Sequence, residues 1–111
     1  LYTVSKNSTI GQAIHIMNQK GVDQVPVTDG DDFVGSVTTA NLVEKIINDP
    51  SLKDKPVGEI MDKPMQVVAL DSTLDVLASM LNKNNKALLV RDEKEVAHII
   101  TQHDILRAIT Q

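Results

Sequence analysis

The chain of 111 residues contains no cysteine and no tryptophan, one tyrosine, one phenylalanine and two arginines. Without cysteine there is no disulfide framework, thiolate nucleophile or thiolate metal site, and nothing points to an oxidising compartment. With Tyr2 and Phe33 as the whole aromatic complement, the core must be built from Val, Ile, Leu and Met at ordinary density. The same shortage disfavours single-stranded nucleic acid, which needs stacking platforms. A formal charge of −4 disfavours bulk attraction to phosphate backbones or anionic lipid, and no dense cluster of lysine or arginine offsets it. Neither nucleic acid nor membrane is therefore an expected partner. No apolar run approaches the roughly 20 residues that span a bilayer, and no signal peptide is visible, so a cytoplasmic protein is the expectation. Arg91 and Arg107 are too few for a triphosphate, which normally takes several cationic donors.

What is present is one pattern written twice. "STIGQAIHIM…VDQVPVTDGDDFVGSVTTANLVEKII" in the first half is echoed by "STLDVLASML…NKALLVRDEKEVAHIITQHDILRAI" in the second. Ser8, Thr9 and Ile10 match Ser72, Thr73 and Leu74. After a one-residue slip near position 20, Val27, Thr38, Asn41 and Leu42 match Val90, Thr101, Asp104 and Ile105. Two copies of about 45 residues are too few for an open solenoid, so two halves packed about a pseudo-two-fold axis are expected, with related clefts where a ligand belongs.

Helical spacing of Ile10, Ala13, Ile14 and Met17 predicts a helix over 9–19 with Ser8 available as N-cap. Leu74, Leu77, Ala78 and Leu81 predict another over 73–82, where "STLD" has the form of a capping box. "QVPV" and "ALLV" read as strands, "TDGDD" and "RDEKE" as turns, and "FVGSV" and "VAHII" as the returning strands of two hairpins. Each repeat closes with a second helix carrying Leu42, Val43, Ile46 and Ile47, or Ile105, Leu106 and Ile109. Counting the opening "YTV" and "MQVVA" segments as strands gives β-α-β-β-α twice, an α/β architecture. Residues 1–49 are the first repeat, 50–61 a polar linker ending in a short "VGEIM" helix, and 62–111 the second repeat. Opening at "LYTVS" without an initiator Met, the chain reads as an excised piece of a longer polypeptide whose first repeat is truncated.

The paired repeats, "VGEIM" before the second copy, and "GSVTTAN" and "HIITQHD" at the last strand-to-helix junctions resemble a tandem pair of CBS domains, a Bateman module. The resemblance covers essentially the whole chain. "GVDQVPV", "GSVTTANL" and "STLDVLASML" are also similar to the regulatory region of cystathionine β-synthases, pyridoxal-phosphate enzymes that join serine and homocysteine. This implies a regulatory module that senses S-adenosylmethionine, or next AMP, and reports to an N-terminal catalytic domain. No lysine context or glycine-rich phosphate loop for pyridoxal phosphate exists in the chain, so no cofactor and no lyase or synthase activity of its own is expected. The rivals are a ligand-free dimerisation and autoinhibitory pair, and an adenine-nucleotide sensor from a different host.

Thr101 and Asp104 form "TQHD" where a strand hands over to a helix. A carboxylate accepts from both hydroxyls of a ribose cis-diol, while the threonine and the helix N-terminus hold a neighbouring polar group. The same residues also make an ordinary helix cap with no ligand at all; spacing alone favours the cap, and the resemblance favours the ligand. Thr38 and Asn41 hold the matching places in repeat one. There a neutral amide lacks the charge-assisted advantage, which makes this second site weaker or vacant. The resemblance implies that each junction faces the early strand of the other repeat: Thr101 and Asp104 against Val22, Asp23, Gln24 and Val25, and Thr38 and Asn41 against Met65 and Lys86 to Leu88. Asp23 would favour the sulfonium cation. Val22 stands where related regions often carry an aromatic, so a stacking surface of ~0.5–1.5 kcal/mol is missing. His103 is a further ligand candidate. His15 and His98 read as ordinary helix and strand residues, and none of the three has metal-ligand spacing. The apolar second helices predict a symmetric homodimer.

Overall fold

The protein, described by a computed structural model, is characterised over residues 2–91 and 96–110. Most of the turn read over 91–95 lies outside the described residues. The chain divides into two compact units, Tyr2–Pro64 and a second that begins at Met65. Each repeats the order strand, helix, strand, strand, helix. The first has β1 (Val4–Ser5), α1 (Ile10–Lys20), β2 (Gln24–Asp29), β3 (Asp32–Thr38) and α2 (Thr39–Asn48). The second has β4 (Gln66–Ala69), α3 (Leu74–Met80), β5 (Ala87–Arg91), β6 (Val96–Thr101) and α4 (Gln102–Thr110). The sheets run β1-β2-β3 and β4-β5-β6, the first pair of each parallel and the second antiparallel. Repetition extends to the irregularities, since each hairpin slips register by one residue at matching places, between Val27 and Thr28 and between Val90 and Arg91.

The caps fall one residue later than the sequence reading placed them. Thr9, not Ser8, starts α1: its hydroxyl accepts the Gln12 N–H at 3.1 Å and the Gln12 side-chain oxygen accepts the Thr9 N–H at 2.8 Å. Three residues beyond Ser8 stands Gly11, which has nothing to return, so the reciprocal pair selects Thr9. Gly21 ends α1 in the left-handed region at φ 64°, where a Cβ would be strained. In the second unit Thr73 caps α3 through the Val76 N–H at 3.3 Å, which leaves Asp75 in the first turn, where its charge suits the helix dipole. That helix stops at Met80, because Asn82 and Asn85 exchange backbone hydrogen bonds at 3.1 Å and the Asn82 side chain takes the Asn84 N–H. Asparagine side chains compete with helical bonding in this way.

Ile10, Ala13 and Met17 from α1, Val25 and Val27 from β2, Val37 and Leu42 form the first core. Val68, Leu77, Leu81, Leu88, Val90 and Ile105 form the second. The segment read as a linker is folded onto the first unit. A 3₁₀ turn at Pro50–Asp54, capped by Asp49, packs Leu52 against the first core. A second turn at Val57–Glu59 buries Val57 completely. Backbone bonds from Ile10 to Lys55, Val57 to Ser8 and Gly58 to Lys6, at 2.8–2.9 Å, tie the segment down. Its end pairs with the edge of β3: the Ser36 N–H donates to the Asp62 carbonyl at 3.1 Å and the Asp62 N–H to the Ser36 carbonyl at 2.8 Å. The sequence shows no sign of this because the inward residues Leu52, Val57, Ile60 and Met61 are spaced five, three and one apart and share no single period across the segment. No described helix is long and apolar enough to cross a membrane.

Candidate functional site

β6 ends at Thr101 and α4 begins at Gln102, so the first-turn amides of α4 have no earlier carbonyls to bond and need side-chain or ligand acceptors. Asp104 reaches back over this turn. Its Oδ2 accepts the Thr101 N–H at 2.9 Å and the Thr101 hydroxyl at 3.2 Å, and its Oδ1 accepts from the Arg107 guanidinium. Burial alone would push the carboxyl upward, but the Thr101 N–H, the Arg107 guanidinium and the Thr101 hydroxyl outweigh it and hold the pKa below the ordinary 3.8. The group is an anion at neutral pH, with about a third of its side chain exposed. Of roughly four acceptor positions on a carboxylate, these three donors leave one vacant. A cis-diol needs two, so engaging one means releasing Arg107, whose side chain is 63% exposed and moves without breaking packing.

The lowered pKa fixes the sign of a pH effect. An Asp whose folded pKa lies below its unfolded value contributes stability above the unfolded value, and that contribution is lost as pH falls through the folded one. The second unit is therefore expected to lose stability as pH drops below about 4, and Asp104→Asn should flatten that part of the profile. Urea midpoints measured across the acid range check this; parallel profiles would contradict it.

The matching junction in the first unit is built differently. Thr38 accepts the Asn41 N–H at 3.1 Å as a simple N-cap. The Asn41 amide donates to the Asp62 carboxylate at 3.3 Å and to the Ile60 carbonyl at 3.4 Å. Asn41 is thus engaged with its own unit.

Two candidate side chains belong to cores. Val25 is 1% exposed in the first core and Leu88 fully buried in the second. Both lie in runs of consecutive buried residues, Val25 to Val27 and Ala87 to Val90, so their backbone groups are what they can offer a ligand. Val22 packs on the first core and, with Met17, Asp23, Thr39 and Leu42, lines a cavity of about 360 Å³ between α1 and α2. Asp23 is exposed. Its carbonyl takes the Thr39 N–H at 2.9 Å and its carboxylate the Thr39 hydroxyl at 3.4 Å. Gln24 is half-buried at the start of β2, and Lys86 and His103 are exposed. Met65 is buried at the head of the second unit. Among the described residues no group of three or more His, Cys, Asp or Glu is placed to hold a metal ion. The sequence reading missed Arg107 as the partner of Asp104 and Asp62 as the partner of Asn41. The first was legible in the i,i+3 spacing on one helix; the second joins residues 21 apart and had no local signal.

A family model described as CBS domain matches residues 1–48 and 57–111. The chain is 32% identical to an inosine-5'-monophosphate dehydrogenase of Methanocaldococcus jannaschii, over 95% of this chain and 21% of that protein. It is 25% identical to a cystathionine beta-synthase of Dictyostelium discoideum, over 94% of this chain and 22% of that one. The chain spans less than half the length of these relatives. Among solved structures it is similar to a protein with CBS domains from Burkholderia ambifaria, at 31% identity and a TM-score of 0.81 over 98% of this chain and 82% of that one. It is likewise similar to CBSX2 in complex with AMP, at 25% identity and a TM-score of 0.79 over 100% and 88%.

Proposed function

We propose a function from one premise, that this chain belongs to the CBS domain family: its two repeats form a regulatory pair that binds an adenosyl ligand at Thr101 and Asp104 and has no catalysis of its own. The carrying observation is the ionised Asp104 carboxylate, held by Thr101 at the head of α4, partly exposed and with an acceptor position free. A ribose diol takes that position and the one Arg107 vacates on swinging away, and charge-assisted bonds to a carboxylate are about twice as strong as neutral ones. The AMP named for CBSX2 supports the ligand class. S-adenosylmethionine is our first candidate and AMP the next. Asp23 offers a carboxylate to the sulfonium, and the scarcity of arginine disfavours ATP. In this reading Thr101 and Asp104 hold the ribose, while His103 borders the ligand.

The diol contact gives the test. AMP and 2'-deoxy-AMP differ by one hydroxyl. The deoxy compound is expected to bind about ten-fold more weakly, the equivalent of one lost bond to an ionised group. Equal affinities would remove Asp104 from ribose recognition. A second reading has its own observation: three of the acceptor positions of Asp104 are filled within α4 and its cap, as in a helix terminus with no ligand.

We further propose that the pair controls an attached catalytic domain, a pyridoxal-phosphate enzyme like cystathionine β-synthase, and acts as a cytoplasmic homodimer. The cystathionine beta-synthase relative supports the first point and the dehydrogenase relative names a different host. Val43 and Ile47 on α2, 48% and 74% exposed, and Leu106 and Ile109 on α4, 57% and 67% exposed, support the second. Each helix carries more apolar surface than its own core uses, and two-fold self-association is the commonest way to cover it. Sedimentation at micromolar concentration should give a dimer that Ile47→Glu combined with Ile109→Glu converts to monomer. A monomeric parent protein would contradict this.

A further inference from the structure

We propose that Asn41 makes the first strand-to-helix junction a clasp for the strap at 57–63, so that Thr101 and Asp104 form the sole adenosyl site of the pair; the second clause rests on the function proposed above. Asn41 puts an amide in the first junction where the other junction has the Asp104 carboxylate. Its amide nitrogen donates to Asp62 Oδ2 at 3.3 Å and to the Ile60 carbonyl at 3.4 Å. Both partners are acceptors only. Aspartate at this position would set a second carboxylate against Asp62 and the carbonyl with no proton to share, so only a donor serves. The clasp closes a short ladder. Ser36 and Asp62 exchange backbone bonds at 3.1 and 2.8 Å, and the buried Ser36 hydroxyl donates to the Lys63 carbonyl at 2.8 Å. Asn41 thus holds the strap from the helix side while Ser36 holds it from the strand side. With its nitrogen held by the strap, Asn41 has only a neutral oxygen to offer a diol, without the charge-assisted strength of the Asp104 carboxylate, and a ligand carboxyl or phosphate there would meet the Asp62 carboxylate.

Amide exchange at Ser36 and Asp62, read residue by residue at pH 7, tests the clasp without any ligand. Asn41→Asp is expected to speed exchange of both amides about tenfold, as losing a bond to an ionised group would, while the Ala13 amide in α1 keeps its protection. Combining Asn41→Asp with Asp62→Asn should reverse it, because the new amide then donates to the new carboxylate. Asp62→Ala reaches the same contact without altering α2 and is expected to loosen the same two amides. Wild-type exchange in both single variants would overturn the clasp. Calorimetry with AMP is expected to give one equivalent per chain. Two equivalents, one of them lost in Asn41→Ala, would overturn the sole-site clause. Absence of binding by both AMP and S-adenosylmethionine would overturn the adenosyl reading and that clause, with the exchange data still deciding the clasp.

Discussion

Replacing Asp104 with alanine should weaken adenosyl binding by roughly ten- to a hundredfold, since a hydrogen bond to a charged group is worth ~1.5–3 kcal/mol. The carboxylate does two jobs that the substitution separates badly and Asp104→Asn separates well. Alanine removes both the diol acceptor and the bond that satisfies the Thr101 N–H at 2.9 Å, so about 1 kcal/mol of folding stability should go with it. Asparagine keeps an oxygen for the Thr101 N–H but loses the charge and the acceptor for Arg107, so its affinity should fall between wild type and alanine with a smaller stability loss than alanine causes. Titration calorimetry paired with urea unfolding distinguishes the two jobs. Unchanged affinity in Asp104→Ala, with only a lower unfolding midpoint, would show that "TQHD" is a helix cap and nothing more.

Gly35→Val should destabilise the first unit by ~1–3 kcal/mol, the usual cost of inserting atoms into filled space. A Cβ on Gly35 would overlap the Met61 sulfur and stand 2.9 Å from the Asp62 carbonyl oxygen. Methionine is flexible enough to swing aside, but the carbonyl is fixed by its bond from the Ser36 N–H. The strap would therefore lift from the edge of β3. His98 holds the equivalent place in the second repeat, opposite Val90 and exposed, so the glycine answers to the strap rather than to the strand. Denaturant unfolding followed by the amide signal of Asp62 checks this. Wild-type stability, with the Ser36 and Asp62 pairing intact, would contradict it.

These two cases mark the limits of what the sequence carries. Repeat order, hairpins and both helix pairs were legible, because each rests on local periodicity in Val, Ile and Leu or on turn residues such as Gly30 in "TDGDD". The candidate junction was legible too, in the T-x-x-D spacing at Thr101 and Asp104. Cap positions were ambiguous wherever Ser and Thr stand side by side, at 8–9 and 72–73, since both side chains can accept the same amide. At 8–9 the answer was nevertheless readable in Gln12. The segment 50–63 that ends in the strap was not readable: its inward residues Leu52, Val57, Ile60 and Met61 follow no single period in a polar stretch with two prolines. Asn41 was read through its likeness to Asp104, whereas its partner Asp62 lies in that strap. Val25 and Leu88 were legible as strand residues, but their full burial was not, because it depends on packing on both faces of each sheet.

The most direct measurement is a calorimetric titration of the protein with S-adenosylmethionine, AMP and ATP at neutral pH, read alongside the melting temperature. The account predicts one saturable site that S-adenosylmethionine and AMP compete for, ATP binding more weakly than either, and stabilisation of ~2.7 kcal/mol at a hundredfold excess over Kd. No heat and no thermal shift with S-adenosylmethionine or AMP at millimolar concentration would contradict it and leave the ligand-free reading of Thr101 and Asp104.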